Sequence, residues 1–104
     1  MSISTSNVST AVANVYVSSG NTAITFLSLC NYSAGNVTAN VYVVPSGSAA
    51  GNLNAVLRSI ELTTLDTYQL YAAGEKLLLG NSDSIQVDAS ANSAVAVVTS
   101  YTTI

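Results

Sequence analysis

The first 57 residues of this 104-residue chain contain no charged side chain. Charged residues make up 7% of the whole sequence, against about 25% in an ordinary soluble domain, and all seven lie between residues 58 and 88. With two basic residues, the chain lacks the positive patch that binds nucleic acid or anionic lipid, so neither partner is expected. An uncharged surface also lacks the usual barrier to association with other proteins.

The sequence has no His and no Trp, and it has one Cys. Without His, a Ser or Thr nucleophile would depend on Lys76 or a carboxylate as its base, and Lys76 beside Glu75 is typical of a solvated turn. The acids are scattered rather than paired across a cleft, as glycoside hydrolysis requires. We therefore expect no enzyme activity. Cys30 cannot form an intramolecular disulfide, and its apolar neighbours predict a small buried side chain.

A calcium site is the strongest of the remaining chemical alternatives. Asn81, Asp83 and Asp88 would supply the oxygen ligands that Ca²⁺ prefers. Residues 80–83 (GNSD) are, however, typical of a tight turn in which Asn and Asp side chains bond the backbone. The turn is the favoured interpretation, so no metal or cofactor is expected.

Strand signals dominate the chain, because β-branched and aromatic residues recur in short runs between Gly, Ser, Asn and Pro. The predicted strands are residues 10–17, 22–31, 36–44, 55–62, 67–71, 84–89 and 94–102, with a short one at 77–79. No window shows helical periodicity. The sequence predicts an all-β fold, an antiparallel β-sandwich or jelly-roll-like domain of seven to eight short strands with no substantial helix.

Residues 24–30 are apolar on both faces of their predicted strand. Strict alternation places Ile24, Phe26 and Cys30 on one face, and Leu27 and Leu29 on the other. Two explanations remain open: the strand is covered on both sides within the domain, or its outer face meets another chain. Residues 94–98 raise the same question more weakly.

The pentapeptide ANVYV occurs at residues 13–17 and again at 39–43. It indicates either a duplicated unit or two independent strands with the same alternation. Both interpretations predict that Val15 and Val17 face opposite to Asn14 and Tyr16.

Residues 1–9 are polar and stand apart from the single domain predicted at 10–104. They form either a disordered tail or an extended arm laid on a neighbour, with Ile3 and Val8 as anchors. They contain neither the basic nor the apolar segment of a secretory signal. Elsewhere, no apolar run approaches the ~20 residues of a membrane span.

Several segments together resemble a known group of proteins. They are residues 26–31 (FLSLCN), 41–47 (VYVVPSG), 66–70 (DTYQL), 77–80 (LLLG) and 83–87 (DSIQV). In this order they are similar to small all-β virion proteins of tailed bacteriophages, over roughly residues 22–101. In that group Gly is followed at once by Asp-Ser-Ile, whereas Asn81 and Ser82 intervene here. The resemblance implies a β-sandwich or jelly roll, without catalytic residues, that acts by assembly, often as trimers on a capsid.

These observations lead to one expected function and one alternative. We expect a non-enzymatic phage virion protein made in the host cytoplasm, a capsid decoration or cement protein on the capsid surface. Its partners would be the major capsid protein or another virion protein, and its own copies in a homotrimer. The alternative is a carbohydrate- or receptor-binding module of a tail fibre or cell surface, against which the absence of Trp counts.

The N-terminal half is expected to supply most of the contact surface, while the region 58–88 faces solvent. The residues predicted to make contact are Ile3, Val8, Tyr16, Thr25, Leu27, Leu29 and Tyr42. Charge substitutions at Thr25 or Tyr42 are therefore expected to disturb assembly more than substitutions at Gln69 or Gln86.

Overall fold

A computed structural model describes residues 2–70 and 77–103. These residues form nine strands and one short turn of 3-10 helix at Asn52–Asn54. The strands are β1 (Ser2–Asn7), β2 (Ala13–Val17), β3 (Thr22–Asn31), β4 (Val37–Val44), β5 (Ala55–Leu62), β6 (Thr67–Leu70), β7 (Leu77–Leu79), β8 (Ser84–Ala89) and β9 (Val95–Thr103). Within the described ranges there is no helix long and apolar enough to cross a membrane.

The strands form two antiparallel sheets that pack into a sandwich. Sheet A has the order β1-β9-β3-β6, with β7 paired to the same edge of β3 as β6, and sheet B has the order β2-β8-β4-β5. If β7 is left out and the other eight strands are numbered in chain order, the spatial order is 1-8-3-6 in sheet A and 2-7-4-5 in sheet B. This is the strand order of a jelly roll built from two Greek keys. The predicted all-β sandwich is thus confirmed.

The hydrophobic core lies between the sheets and takes every second residue of the central strands. In sheet A, Leu27 and Leu29 of β3 lie opposite Thr99 and Val97 of β9, and all four side chains are at most 1% exposed. In sheet B, the apolar residues of 84–89 point inward, as their alternation predicts. Burial of each such leucine contributes about 2 kcal/mol.

A bulge at Thr25 changes which residues of β3 face the core. Ile24 lies opposite Tyr101 and Phe26 opposite Ser100, so Thr25 has no partner of its own. Ile24 is fully buried on the core side, whereas Phe26 is half-buried on the outer side. The prediction that the two share a face is wrong, because a bulge inserts one extra residue into the alternation.

Residues 2–7 belong to the domain and are neither a tail nor an arm on a neighbour. β1 pairs with β9 along its whole length, from Ser2 opposite Tyr101 to Asn7 opposite Ala96. Val8, predicted as an anchor on another chain, is 2% exposed and lies in the core. The predicted boundary between residues 9 and 10 is therefore wrong, since the backbone pairing of β1 does not require an alternating apolar pattern.

The first ANVYV segment also departs from simple alternation. Its strand begins at Ala13 rather than at residue 10, and the register shifts between Asn14 and Tyr16. Val15 is consequently buried, whereas Val17 is 47% exposed. The prediction that these two valines share a face is wrong for the same reason as at Thr25. Tyr71, the predicted end of β6, lies outside the described residues.

Asn31, at the end of β3, joins the two sheets through a buried set of hydrogen bonds. Its side chain is 0% exposed. Its Nδ2 donates to the carbonyl oxygens of Gly35, Leu62 and Thr63 at 2.8, 2.9 and 3.2 Å. Its Oδ1 accepts from the backbone N–H of Ser33 at 3.0 Å and from the Ser33 hydroxyl at 2.7 Å. The amide thus connects β3 to the loop that follows it and to the end of β5.

Asn31→Asp is expected to lower the free energy of unfolding by about 3 kcal/mol or more, because a carboxylate would face three carbonyl oxygens without donating. Urea denaturation measures the change. The control is Asn36→Asp, since exposed Asn36 only accepts a bond, from the Thr64 N–H at 3.2 Å. That variant should stay within about 0.5 kcal/mol of the parent protein. Equal losses would show that Asn31 has no special role.

Thr99 gives a second test of the core. Its side chain is 0% exposed, and Oγ1 has no hydrogen-bond partner among the described residues. Thr99→Val keeps the shape and removes the unsatisfied hydroxyl, so stability should rise by about 1 kcal/mol. In the equally buried Thr22, Oγ1 accepts from Ser18 at 2.8 Å and Tyr16 at 3.3 Å. Thr22→Val should therefore lower stability by about 1–2 kcal/mol. Thermal or urea unfolding of the two variants measures whether each substitution raises or lowers stability.

Candidate interaction surface

The outer side of sheet A is a broad surface whose residues are assigned by strand register. Residues directly opposite one another in an antiparallel pair share a face, and Leu27, Leu29 and their partners on β9 face the core. The alternate residues therefore point outward, in rows that cross the sheet. The rows are Ile3, Ser100 and Phe26; Thr5, Val98, Ser28 and Gln69; Asn7, Ala96, Cys30 and Thr67; and, beyond the bulge, Thr102, Ala23 and Leu78. We call this surface the uncharged face; Ala23 and Ser28 point to this side of the sheet but are buried, at 3% and 8% exposure.

The strands that form the uncharged face contain no Asp, Glu, Lys or Arg. Its centre is apolar and half-buried at Phe26, Ala96 and Val98. At its two margins, Ile3 of β1 and Leu78 of β7 are 69% and 66% exposed. Hydroxyl and amide side chains lie between these apolar residues, so the face combines hydrophobic contact area with neutral hydrogen-bonding groups.

The bulged residue Thr25 lies beside this face and supports its surface. Its Oγ1 donates to the carbonyl oxygen of Ser100 at 3.2 Å and lies 3.3 Å from the Ser100 hydroxyl. A hydroxyl at the bulge thus satisfies groups of the neighbouring strand where the ladder is interrupted.

The outer side of sheet B carries charge instead. Arg58 of β5 donates to the Tyr42 hydroxyl at 3.0 Å, and Asp88 of β8 accepts from Nδ2 of Asn40 at 2.6 Å. Glu61 of β5 lies opposite Thr38 and is exposed. Arg58 and Asp88 are thus bonded to neutral polar partners, and none of the three charges forms an ion pair within the described ranges.

Within the described strands, charged side chains therefore occur in sheet B and not in sheet A. Asp83, which immediately precedes β8, and Asp66, in the turn before β6, are the other described charges. Glu75 and Lys76 lie outside the described residues. The N-terminal half does not form one surface, because its strand β4 lies in sheet B, while the C-terminal strand β9 runs through the middle of the uncharged face.

The structure places only two of the predicted contact residues at this surface, namely Ile3 and Thr25. Val8, Leu27 and Leu29 are at most 2% exposed and belong to the core, so they are not available to a partner. The sequence pattern is apolar on both faces of β3, and the face that holds Leu27 and Leu29 is the one that packs in the core.

The two predicted tyrosines lie elsewhere. Tyr42 is 5% exposed on sheet B, beneath Arg58. Tyr16 packs on Tyr101 with ring centroids 4.5 Å apart and an interplanar angle of 40°. Tyr16 is half-buried and its ring packs against the core, so the pair links β2 of sheet B to β9 of sheet A. Gln69, predicted to lie away from the contact surface, lies opposite Ser28 and belongs to the uncharged face.

Sequence reasoning missed Val98, Ala96 and Leu78 as members of the face. A signal existed in residues 94–98, where both alternating sets are apolar. The pattern alone does not show which of the two sets points outward. The register does, because Val97 and Thr99 oppose Leu29 and Leu27, which leaves Ala96 and Val98 on the outer side.

The residues considered for calcium do not converge. Both carboxylate oxygens of Asp83 accept backbone N–H groups, Oδ1 from Ser46 at 2.8 Å and Oδ2 from Gly80 at 2.9 Å. Oδ1 of Asn81 accepts the Gly20 N–H at 2.9 Å. Asp83 and Asp88 stand at opposite ends of β8, about 16 Å apart along an extended strand. The side chains of Asn81 and Asp83 thus bond the backbone, as the turn interpretation predicts.

The broad side of the molecule that holds the uncharged face is comparable in extent to a standard protein–protein interface. The molecule measures 39 × 27 × 18 Å along its principal axes, and the shortest direction fits two stacked sheets. Each broad side projects roughly 1,000 Å², compared with about 800 Å² per partner in a standard protein–protein interface.

In comparisons with known proteins, the chain matches no family model, no curated protein and no solved structure.

Cys30 provides a probe of this face. The expectation of a core side chain is corrected, because Cys30 points outward between Thr67 and Ala96 and is half-buried. A small thiol reagent should modify one Cys per folded chain, more slowly than in the unfolded chain because of partial burial. Mass spectrometry measures the rate with and without denaturant. Reaction only after unfolding would contradict the assignment.

Proposed function

We propose that this chain is a non-enzymatic structural protein of a tailed-phage virion, a decoration or cement protein that binds the capsid surface through its uncharged face. The partner would be the major capsid protein or another virion protein. The proposal combines the resemblance of residues 22–101 to small virion proteins with the architecture of the chain. Jelly rolls occur in capsid proteins as well as in lectins and enzymes, so the fold alone does not decide the function.

The observation that carries the proposal is that, among the described strands, those of sheet A contain no charged residue whereas those of sheet B do. A charge buried at an interface without a partner costs several kcal/mol, whereas Ser and Thr hydroxyls can form new hydrogen bonds across it. Among the described residues, the uncharged face carries apolar, hydroxyl and amide side chains but no charge. Sheet B carries Arg58, Glu61 and Asp88, which suit contact with water. This arrangement supports binding to a particle with sheet A inward and sheet B outward.

Repetition over a shell would strengthen a moderate contact. Each copy would bury about 800 Å² or more, and neighbouring copies would hold one another in place by avidity. Since few ion pairs contribute, raising salt from about 0.1 to 1 M should weaken binding little. Mild detergent, which competes for apolar contact, should weaken it more.

The test is reassociation of the purified protein with virions from which mild detergent has removed it. Val98→Lys places a cation at the centre of the uncharged face and should weaken cosedimentation with the particles at least about tenfold, because the charge must be desolvated. The matched control is Gln86→Lys, which adds the same charge on the outer side of sheet B. It should bind like the parent protein.

Three results would contradict this function. They are equal losses in the two variants, release by high salt but not by mild detergent, and absence of the protein from purified virions. Binding of the isolated protein to a glycan array would instead support the carbohydrate-binding alternative. Circular dichroism of each variant shows whether a loss of binding reflects loss of fold.

A further inference from the structure

The outer edge of β1 has unpaired backbone groups. β1 stands at the end of sheet A, and within residues 2–70 and 77–103 no strand pairs with its second edge. A free edge offers a row of backbone donors and acceptors to any other extended chain. The free backbone groups of β1 therefore favour another extended strand as the partner.

The hydrogen-bond pattern identifies which residues face the free edge. The N–H of Val8 donates to the Val95 carbonyl at 3.0 Å, and the Val8 carbonyl accepts from the Ser93 N–H at 3.2 Å. Backbone groups of successive strand residues point to opposite edges. The even-numbered residues of β1 thus bond β9, while the N–H and C=O groups of Ile3, Thr5 and Asn7 point to the free edge.

The other described sheet edges carry features that discourage pairing. β5 has two register shifts, a positive φ of 54° at Ser59, and the charges of Arg58 and Glu61. β2 contains a bulge. β6 and β7 have only four and three residues. Bulges, charges and short length are the usual protections of edge strands.

β1 has none of these protections. It is six residues long, regular in register, and free of Pro, Gly and charge. Its outward side chains at Ile3, Thr5 and Asn7 are all exposed. This is the edge at which another strand can add without first removing a charge or straightening a bulge.

We propose that two copies of this chain associate through β1, antiparallel about a two-fold axis at Thr5. Thr5 then faces Thr5 of the second copy, and Ile3 faces Asn7. Each of these residue pairs can exchange two backbone hydrogen bonds, about six in all. The two sheets A join into one continuous sheet across the axis.

A second copy suits this edge better than an unrelated strand for two reasons. The register is self-complementary, as a two-fold interface requires, and both strands are neutral, so a chain of net charge −3 pairs without bringing acids together. The pairing also sets the two uncharged faces side by side on the same side of the joined sheet. The interface forms without a particle, so its test does not depend on the proposed function.

The first measurement is the mass of the isolated protein by light scattering across a concentration series. The expected result is a concentration-dependent rise from 10.6 kDa to twice that mass. A protein that stays monomeric at about millimolar concentration overturns the proposal. A trimer overturns it too, and would favour the homotrimer implied by the virion resemblance.

The second experiment uses the fact that Thr5 faces itself. Thr5→Lys and Thr5→Glu each place like charges opposite one another and should each raise the dimer dissociation constant at least about tenfold. An equimolar mixture of the two should restore dimerisation as a Lys–Glu heterodimer, which native mass spectrometry identifies by mass. Because Thr5 is exposed, both variants should fold normally. Gln86→Lys, on the other sheet, is the control and should dimerise like the parent protein.

A backbone variant separates edge pairing from side-chain effects. Thr5→Pro removes the outward N–H without adding charge, and Pro is tolerated where an edge N–H faces solvent. It should also weaken dimerisation about tenfold, since at least two backbone bonds are lost. Dimerisation unaffected by Thr5→Pro, or a charge pair that fails to restore the dimer, would place the interface elsewhere.

Discussion

The antiparallel pairing of β3 with β9 is the constraint on which the arrangement of this molecule depends. These two strands lie at the centre of sheet A, and their register decides which side chains enter the core. Leu27 and Leu29 face inward because they oppose Thr99 and Val97. The side chains at the alternate positions of the two strands therefore point outward. They include apolar residues such as Phe26 and Val98, which are only half-buried.

The strand content of the chain could be predicted from its sequence, but the choice of face could not. Turn residues and β-branched runs locate most strands to within a residue or so. Residues 24–30, however, are apolar on both faces, and a bulge at Thr25 breaks the alternation within the strand. β1 has the opposite difficulty, since its Ser and Thr residues show no apolar pattern and its position follows only from backbone pairing with β9.

The candidate surface was therefore only partly predictable. The absence of charge from the first half of the chain is visible in composition, and Ile3 and Thr25 do lie at the surface that it suggests. Which other residues join them depends on contacts between strands far apart in sequence. β9 follows the charged region by several residues, yet the jelly-roll order inserts it between β1 and β3. The strand order thus decides which sheet each charged or uncharged segment of the chain joins.

The composition of the uncharged face would meet two opposing requirements of the proposed contact. A large purely apolar patch would promote indiscriminate association before the correct partner is met, whereas a charged one would resist burial when that partner arrives. Hydroxyl and amide groups bind water in the free protein and can bind a partner afterwards at small net cost. Alternating them with Phe26, Ala96 and Val98 limits continuous apolar area while preserving hydrophobic gain. The same neutrality leaves the β1 edge unprotected, so the chemistry that favours the proposed particle contact of sheet A also favours the proposed pairing through β1.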